Sequence, residues 1–312
     1  MDILIYHARA QALASALRNR VASASIVATS DEAQFRKLLP STEILIAHTF
    51  PVQALESATR LRWIQLALAG SEFLAAARAR MGGVVVTNAR GIHAAPIADY
   101  VMTAAVMLSS DFHGLFREQA AKQWQRRPVR TLAGRTLGIA GLGAIGQEIA
   151  RRASLAGMTV VGLRKNAGAM DGISRMYGPD ALHAFLERCD FVVLAVPLTD
   201  ATQQMIGAAE FSAMKPGAFI INVARGDVVD EPALVAALAT GRIAGACLDV
   251  FSVEPLPADS PLWAMPNVII TPHIAGMRED YDECLLDICV DNLQRFASGE
   301  PLRNVVDLAR GY

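Results

Sequence analysis

Thr136-Leu137-Gly138-Ile139-Ala140-Gly141-Leu142-Gly143-Ala144-Ile145-Gly146 decides how the rest of the chain is read. A short apolar strand runs straight into G-x-G-x-x-G, and the pattern opens an amphipathic helix over residues 144–156. With 23 glycines in 312 residues, that spacing alone arises by chance about one time in eight. The strand before it and the helix behind it therefore carry the argument. Gly141 permits a tight turn, Gly143 lets the backbone approach a pyrophosphate, and Gly146 lets helix and strand close-pack. The helix N–H groups and dipole then meet the anion, with Leu142, Ala144 and Ile145 lining the loop. The alternative is a glycine-rich turn without a ligand.

The next strand, Thr159–Leu163, ends beside the position a ribose would take. In an NAD site an acid stands there, ~20 residues past the glycines, and accepts from the 2′-hydroxyl. Here Arg164, Lys165 and Asn166 follow the strand, and no carboxylate occurs before Asp171. Two cations suit a 2′-phosphate that an acid would repel. The expected cofactor is therefore NADP, with NAD still possible if Arg164 only stacks on adenine or faces solvent.

Outward from this loop, strand-like runs alternate with helical stretches, the pattern of parallel sheets wrapped by helices. On the C-terminal side, residues 191–196, 219–223, 245–250 and 268–271 read as continuous apolar strands, buried on both faces. On the N-terminal side, residues 3–6, 25–28, 44–47, 63–66 and 84–87 form a tighter series, an α/β unit of its own. Two domains fit 312 residues at roughly 150 per domain. A helix beginning at Pro96 is apolar around most of its circumference and calls for burial between domains or subunits. A final helix spans residues 280–297.

Composition closes off several function classes. Lys+Arg 29 against Asp+Glu 30 leaves a net charge of -1, so no global field favours nucleic acid or an anionic membrane. No apolar run approaches the ~20 residues of a bilayer span, and the start reads as a strand rather than a signal peptide. Cys189, Cys247, Cys284 and Cys289 show no C-x-x-C and no zinc spacing, so no metal is expected. They read as small buried hydrophobes in a reducing, cytoplasmic compartment.

Ionisable groups gather at the carboxyl ends of later strands, where ligands bind in open α/β sheets. The segments are Asn222-Val223-Ala224-Arg225-Gly226-Asp227-Val228-Val229-Asp230, Cys247-Leu248-Asp249-Val250-Phe251-Ser252-Val253-Glu254-Pro255 and Thr271-Pro272-His273-Ile274-Ala275-Gly276. Together with the glycine loop they strongly resemble the D-isomer-specific 2-hydroxyacid dehydrogenase family. The likeness extends to Asn88-Ala89-Arg90-Gly91-Ile92-His93-Ala94, to Ala98-Asp99-Tyr100 and to Pro261-Leu262-Trp263, covering residues from about 66 to 306.

The resemblance implies hydride exchange between a nicotinamide cofactor and a small 2-oxo or 2-hydroxy acid. Arg225 would bind the substrate carboxylate and polarise the carbonyl, a task for a planar guanidinium. His273 would be the acid/base, with Glu254 on its other ring nitrogen fixing the tautomer. Val196 and Pro197 would wall the adenosine side, and Val223 and Ala224 would pass under the nicotinamide ribose. Asp249 would accept from the carboxamide, the alternative being a strand-end cap, and Gly276 would lie near the cofactor. Ala69, Gly70 and Ser71 resemble the loop whose N–H groups hold the substrate carboxylate, with Glu72 where many relatives carry Asp. His7, His48, His93, His113 and His183 keep structural readings.

The implied architecture is α/β: two doubly wound parallel-sheet domains, a Rossmann domain inserted in a flavodoxin-like substrate domain. The expected division is 1–95 plus 285–312 for the substrate domain and 96–284 for the NAD(P)-binding domain, with a hinge that closes on substrate. The Pro96 helix would form a homodimer contact. Three alternatives differ from this reading. A formate dehydrogenase pairs its catalytic His with Gln, whereas position 254 is Glu. A dinucleotide-sensing corepressor would need docking grooves and long disordered tails, and a D-3-phosphoglycerate dehydrogenase would carry a regulatory extension.

Overall fold

Runs of Ile, Leu and Val become parallel strands that bury both of their faces, in two separate sheets. The structure, a computed structural model, describes residues 1–21, 24–71, 73–74 and 81–308. Two compact units emerge, Met1–Ile92 with Arg278–Tyr312, and His93–Met277.

In the first unit, β1 (Asp2–Tyr6), α1 (Ala10–Arg20), β2 (Ser25–Thr29), α2 (Glu32–Leu38), β3 (Ile44–Ala47), β4 (Trp63–Leu66) and β5 (Val85–Thr87) follow in turn. The strands are parallel in the order β2-β1-β3-β4-β5, the flavodoxin-like doubly wound arrangement. Period-2 alternation splits each strand between two cores. Ile3, Ile5, Ile44 and Ile46 face Leu13 and Leu17 of α1, whereas Leu4, Leu45, Ile64 and Leu66 face Phe35 and Leu39.

The second unit contains α3 (Ala94–Ser109), α4 (Phe112–Ala120), β6 (Thr136–Ala140), α5 (Ala144–Leu155), β7 (Thr159–Leu163), β8 (Arg175–Tyr177) and α6 (Leu182–Leu186). It continues through β9 (Phe191–Leu194), α7 (Ala208–Ala213), β10 (Phe219–Asn222), α8 (Glu231–Ala239), β11 (Gly245–Leu248) and β12 (Val268–Ile270). Its strand order is β12-β11-β10-β9-β6-β7-β8, all parallel, so the order reverses between β6 and β9. Ligands of doubly wound sheets bind outside the strand ends at such a reversal. The glycine loop leaves β6 there.

α3 packs on α5 and on the sheet, burying Ile97, Ala98, Val101, Ala104, Ala105 and Leu108, while Val106 stays exposed. Pro96 lies in its first turn, where a missing N–H leaves no helical bond unmade. The chain then returns as α9 (Tyr281–Ser298), whose Leu285, Leu286, Cys289 and Leu293 join the core around β1. This apolar stripe explains why α9 falls wholly in the first unit. The change of unit comes between Met277 and Arg278 rather than at 284/285, which would cut the helix. No helix among the described residues is long and apolar enough to cross a membrane.

Candidate active site

The glycine loop is built by two close approaches and one opening. Gly141 has φ +97, in the left-handed region, and a Cβ there would strike the Ala195–Val196 peptide. A Cβ on Gly146 would strike the carbonyl of Gly141 itself, so α5 can begin this close to β6 only without a side chain. At Gly143 a Cβ would meet nothing within 4 Å, and Gly143 and Ala144 are exposed. Leu142 is buried beneath, and Ile145 is half-buried. The loop thus presents open backbone, followed by the first-turn N–H groups of α5, which have no acceptor inside the helix. That is a cradle for a pyrophosphate, and the residues fit the dinucleotide.

Around it, Val196 and Pro197 follow the end of β9, where the Ala195–Val196 peptide lies directly against Gly141. Arg164 and Lys165 leave the end of β7, both exposed, and neither forms an ion pair among the described residues. Val223 and Ala224 are buried just past β10. There the Asn222 side chain shapes the turn: its Oδ1 accepts from Ala224 N at 3.0 Å and its Nδ2 donates to the Arg225 carbonyl at 3.0 Å. Arg225 follows, with Nη1 donating to the Ala224 carbonyl at 2.7 Å.

Asn222, Leu248 and Ile270 pair across β10, β11 and β12, so Arg225, Glu254 and His273 all emerge at one sheet edge. Two strand spacings, about 10 Å, separate the exits of β10 and β12. His273 Nδ1 lies 2.8 Å from Glu254 Oε2. Glu254 is itself fastened, because its Oε1 accepts from Phe251 N at 3.0 Å. The Glu254–Pro255 peptide is cis. A Nδ1–H donated to a carboxylate leaves Nε2 as the nitrogen able to exchange a proton with a ligand.

Asp249 is 2% exposed and holds the segment on either side of His273. Its Oδ1 accepts from Thr271 Oγ1 at 2.5 Å and Ile274 N at 2.8 Å, and its Oδ2 from Ala275 N at 2.9 Å. Its carbonyl accepts from His273 N at 2.9 Å. The strand-end cap weighed against a cofactor contact is thus a task the side chain performs. Gly276 closes the segment, its carbonyl 3.1 Å from Nδ1 of His93.

Ala69, Gly70 and Ser71 lie in the first unit, past β4, with Ser71 buried. Asn88 Nδ2 donates to the Ala69 carbonyl at 2.7 Å, and Ala89 N to that of Leu68 at 2.9 Å. Glu72 lies outside the described residues. Among the other histidines, His7 and His48 meet at 6.0 Å between ring centroids, at the ends of β1 and β3. His183 pairs with Glu210 at 2.9 Å and His113 lies 3.2 Å from Asp111. The four cysteines form no disulfide, and burial pushes the Cys189 and Cys289 thiols up to about 12. No cluster of metal-ligating side chains occurs among the described residues.

Gly226, Tyr100 and Thr271 take part in ways that their motifs alone do not reveal. Gly226 packs so closely that a Cβ would overlap the Phe251–Ser252 peptide, which locks the Arg225 turn to the Glu254 turn. Tyr100 reaches from α3 to Thr271 with 2.6 Å between oxygens. The available signal was a phenol in an otherwise apolar helix, and a Thr two residues before His273.

An open glycine cradle at the reversal of a seven-stranded parallel sheet, with an imidazole–carboxylate pair and an arginine leaving later strands at the same edge, defines an oxidoreductase built around a nicotinamide dinucleotide. The chain belongs to the D-isomer-specific 2-hydroxyacid dehydrogenase family, whose NAD-binding domain matches residues 102–275. It is 34% identical over 282 residues to a glycerate dehydrogenase of Methylorubrum extorquens, covering 86% of this chain and 87% of that one. It is 33% identical over 260 residues to a D-3-phosphoglycerate dehydrogenase of Methanocaldococcus jannaschii, covering 81% of this chain but only 49% of that longer relative. Among solved structures, a D-isomer-specific 2-hydroxyacid dehydrogenase from Xanthobacter autotrophicus Py2 in complex with NADPH and MES superposes with TM-score 0.89 at 32% identity, over 100% of this chain and 99% of that one. An NADPH-dependent glyoxylate/hydroxypyruvate reductase of Sinorhizobium meliloti in complex with NADP and sulfate gives TM-score 0.89 at 26% identity, with the same coverage.

Proposed function

We propose that the protein reduces small 2-oxo acids to D-2-hydroxy acids with NADPH, glyoxylate and hydroxypyruvate being the first candidates. The observation that carries this reading is the His273–Glu254 pair, which emerges at the same sheet edge as Arg225 and the glycine cradle. The relatives named for glyoxylate, hydroxypyruvate and glycerate support the substrate class. The exposed Arg164 and Lys165 at the end of β7 support NADPH over NADH, as do solved relatives in complex with NADPH or NADP.

The residues divide the work by chemistry. When bound, the nicotinamide supplies the hydride that reduces the C2 carbonyl. Gly143, Ala144 and Ile145 would hold its pyrophosphate through main-chain N–H groups, with Val196, Pro197, Val223, Ala224 and Gly276 around it. Asp249 uses three of its roughly four acceptor positions within the protein, and the fourth suits the carboxamide NH₂. Arg225 takes the substrate carboxylate. His273 Nε2 delivers its proton to the carbonyl oxygen as the alkoxide charge develops, while Glu254 stabilises the ring at Nδ1. For oxidation the neutral imidazole accepts that proton back.

A homodimer is supported by the apolar groups left exposed on and after α3: Val106, Phe112, Phe116, Trp124 and Val129. The unpaired cysteines fit a reducing cytoplasm. The test is absorbance at 340 nm with NADPH and NADH against glyoxylate, hydroxypyruvate, pyruvate and phenylpyruvate. Turnover of at least one acid, faster with NADPH, is expected. Absence of turnover with the whole panel would overturn the reading.

A further inference from the structure

We infer that Tyr100 and Thr271 are positioning residues that act through Asp249 to hold His273 against Glu254, an inference that rests on the proposed reduction of 2-oxo acids.

Proton counting gives the connection a direction. Thr271 has one hydroxyl proton, and both Asp249 oxygens already accept main-chain N–H bonds, so the Thr271 proton goes to Asp249 Oδ1 at 2.5 Å. The Tyr100 hydroxyl, 2.6 Å from Thr271 Oγ1, must therefore be the donor there. The Cys247 thiol, 3.2 Å from the same phenol oxygen, then donates to Tyr100. The result is a one-way chain from β11 through α3 to the turn after β12, ending on a carboxylate that is 2% exposed. Such chains polarise each member in the same sense. Burial pushes the Tyr100 phenol up, and the Cys247 thiol up to about 11, so both remain donors throughout the physiological range.

What the chain secures is a backbone conformation that His273 would not hold alone. His273 has φ 55, in the left-handed region that non-glycine residues avoid. Asp249 overrides that preference from both sides, through Thr271 before the imidazole and through Ile274 N and Ala275 N after it. The Glu254 contact needs this conformation, because it joins side chains from two separate turns at 2.8 Å. Without the Thr271 hydroxyl, Asp249 loses its hold on the near side of the turn and Tyr100 loses its acceptor. Neither Tyr100 nor Thr271 needs to touch substrate for this effect.

The experiment compares Thr271→Val, Thr271→Ser and Tyr100→Phe with the parent in three readouts. These are kcat and KM for reduction of the best oxo acid, the dissociation constant for NADPH from its fluorescence, and the downfield proton resonance of the imidazole Nδ1–H. That resonance is assigned by its loss in His273→Asn. Thr271→Val should lower kcat about 10- to 100-fold with a smaller change in KM, the mark of a misplaced catalytic group. It should broaden or shift the Nδ1–H resonance while leaving NADPH binding near the parent value. Thr271→Ser should restore both kcat and resonance, and Tyr100→Phe should fall between. Parental kcat and resonance in Thr271→Val and Tyr100→Phe would overturn the inference, as would equal losses in Thr271→Ser. If the parent reduces no oxo acid, the functional reading fails alone, because the resonance still decides whether these side chains position His273.

Discussion

Gly226 lies against the carbonyl group of Phe251, with no room between them for even a methyl group. The contact joins two turns that leave neighbouring strands, one carrying Arg225 and the other Glu254. Because backbone meets backbone, neither side can yield by a rotamer change. Gly226→Ala should therefore destabilise the second unit by about 1–3 kcal/mol, the usual range for overpacking. Surviving protein should show a fall in kcat/KM larger than its fall in melting temperature would suggest. Thermal denaturation and steady-state kinetics on the same preparation check both halves.

Arg225→Lys keeps the charge and loses the planar fork. Carboxylate recognition by a guanidinium is bidentate, and a Lys ammonium is a point donor. The expected outcome is a fall of about 100-fold in kcat/KM for the oxo acid, roughly 2.7 kcal/mol of transition-state stabilisation. Titration of NADPH against the variant should give the parental dissociation constant.

His273→Ala should lower kcat by about 10²–10⁴-fold, the ordinary contribution of a positioned acid/base. Dinucleotide binding should persist, because the glycine cradle is made by β6 and α5. Single-turnover measurements with bound NADPH separate the two effects.

Arg164→Asp with Lys165→Ala tests cofactor choice. An acid at the end of β7 would repel a 2′-phosphate and accept from a 2′-hydroxyl. The ratio of kcat/KM for NADPH to that for NADH should fall by about tenfold or more, which is 1.4 kcal/mol at this site. Equal use of both coenzymes by the parent would remove the basis of the argument.

The first unit should lose stability in mild acid. Burial lowers the pKa of His7, with the neighbouring His48 and Arg9 adding to the effect and Asp282 opposing it; burial lowers that of His48 also. A histidine whose folded pKa is depressed binds its proton more readily in the unfolded chain. Its contribution is therefore intact above the unfolded value of 6.5 and is lost as pH falls below it. Melting temperature should decline between about pH 7 and pH 5, and His7→Gln with His48→Gln should flatten that decline.

Much of the candidate site was legible along the chain because it depends on local order. Gly141, Gly143 and Gly146 sit between a strand and a helix, Arg164 and Lys165 follow the next strand, and Thr271-Pro272-His273 follows the last. The short elements β8, α6 and α7 left no comparable trace, since three to six residues are too few to show a period. Tyr100 was visible only as part of a resemblance, because its partner Thr271 lies 171 residues further on.

The amino-acid order by itself determined the two parallel sheets, the glycine loop between strand and helix, and the residue types available at the candidate site, since hydrophobic period and glycine spacing act over a few residues. Only the tertiary structure decided that the first turn of α9, from Tyr281, goes with the first sheet as well, that Gly226 must be bare against Phe251, and that Asp249 holds the turn bearing His273. Those outcomes come from packing and hydrogen bonding between segments far apart in the chain, whose meeting depends on strand order and on the volume each side chain fills.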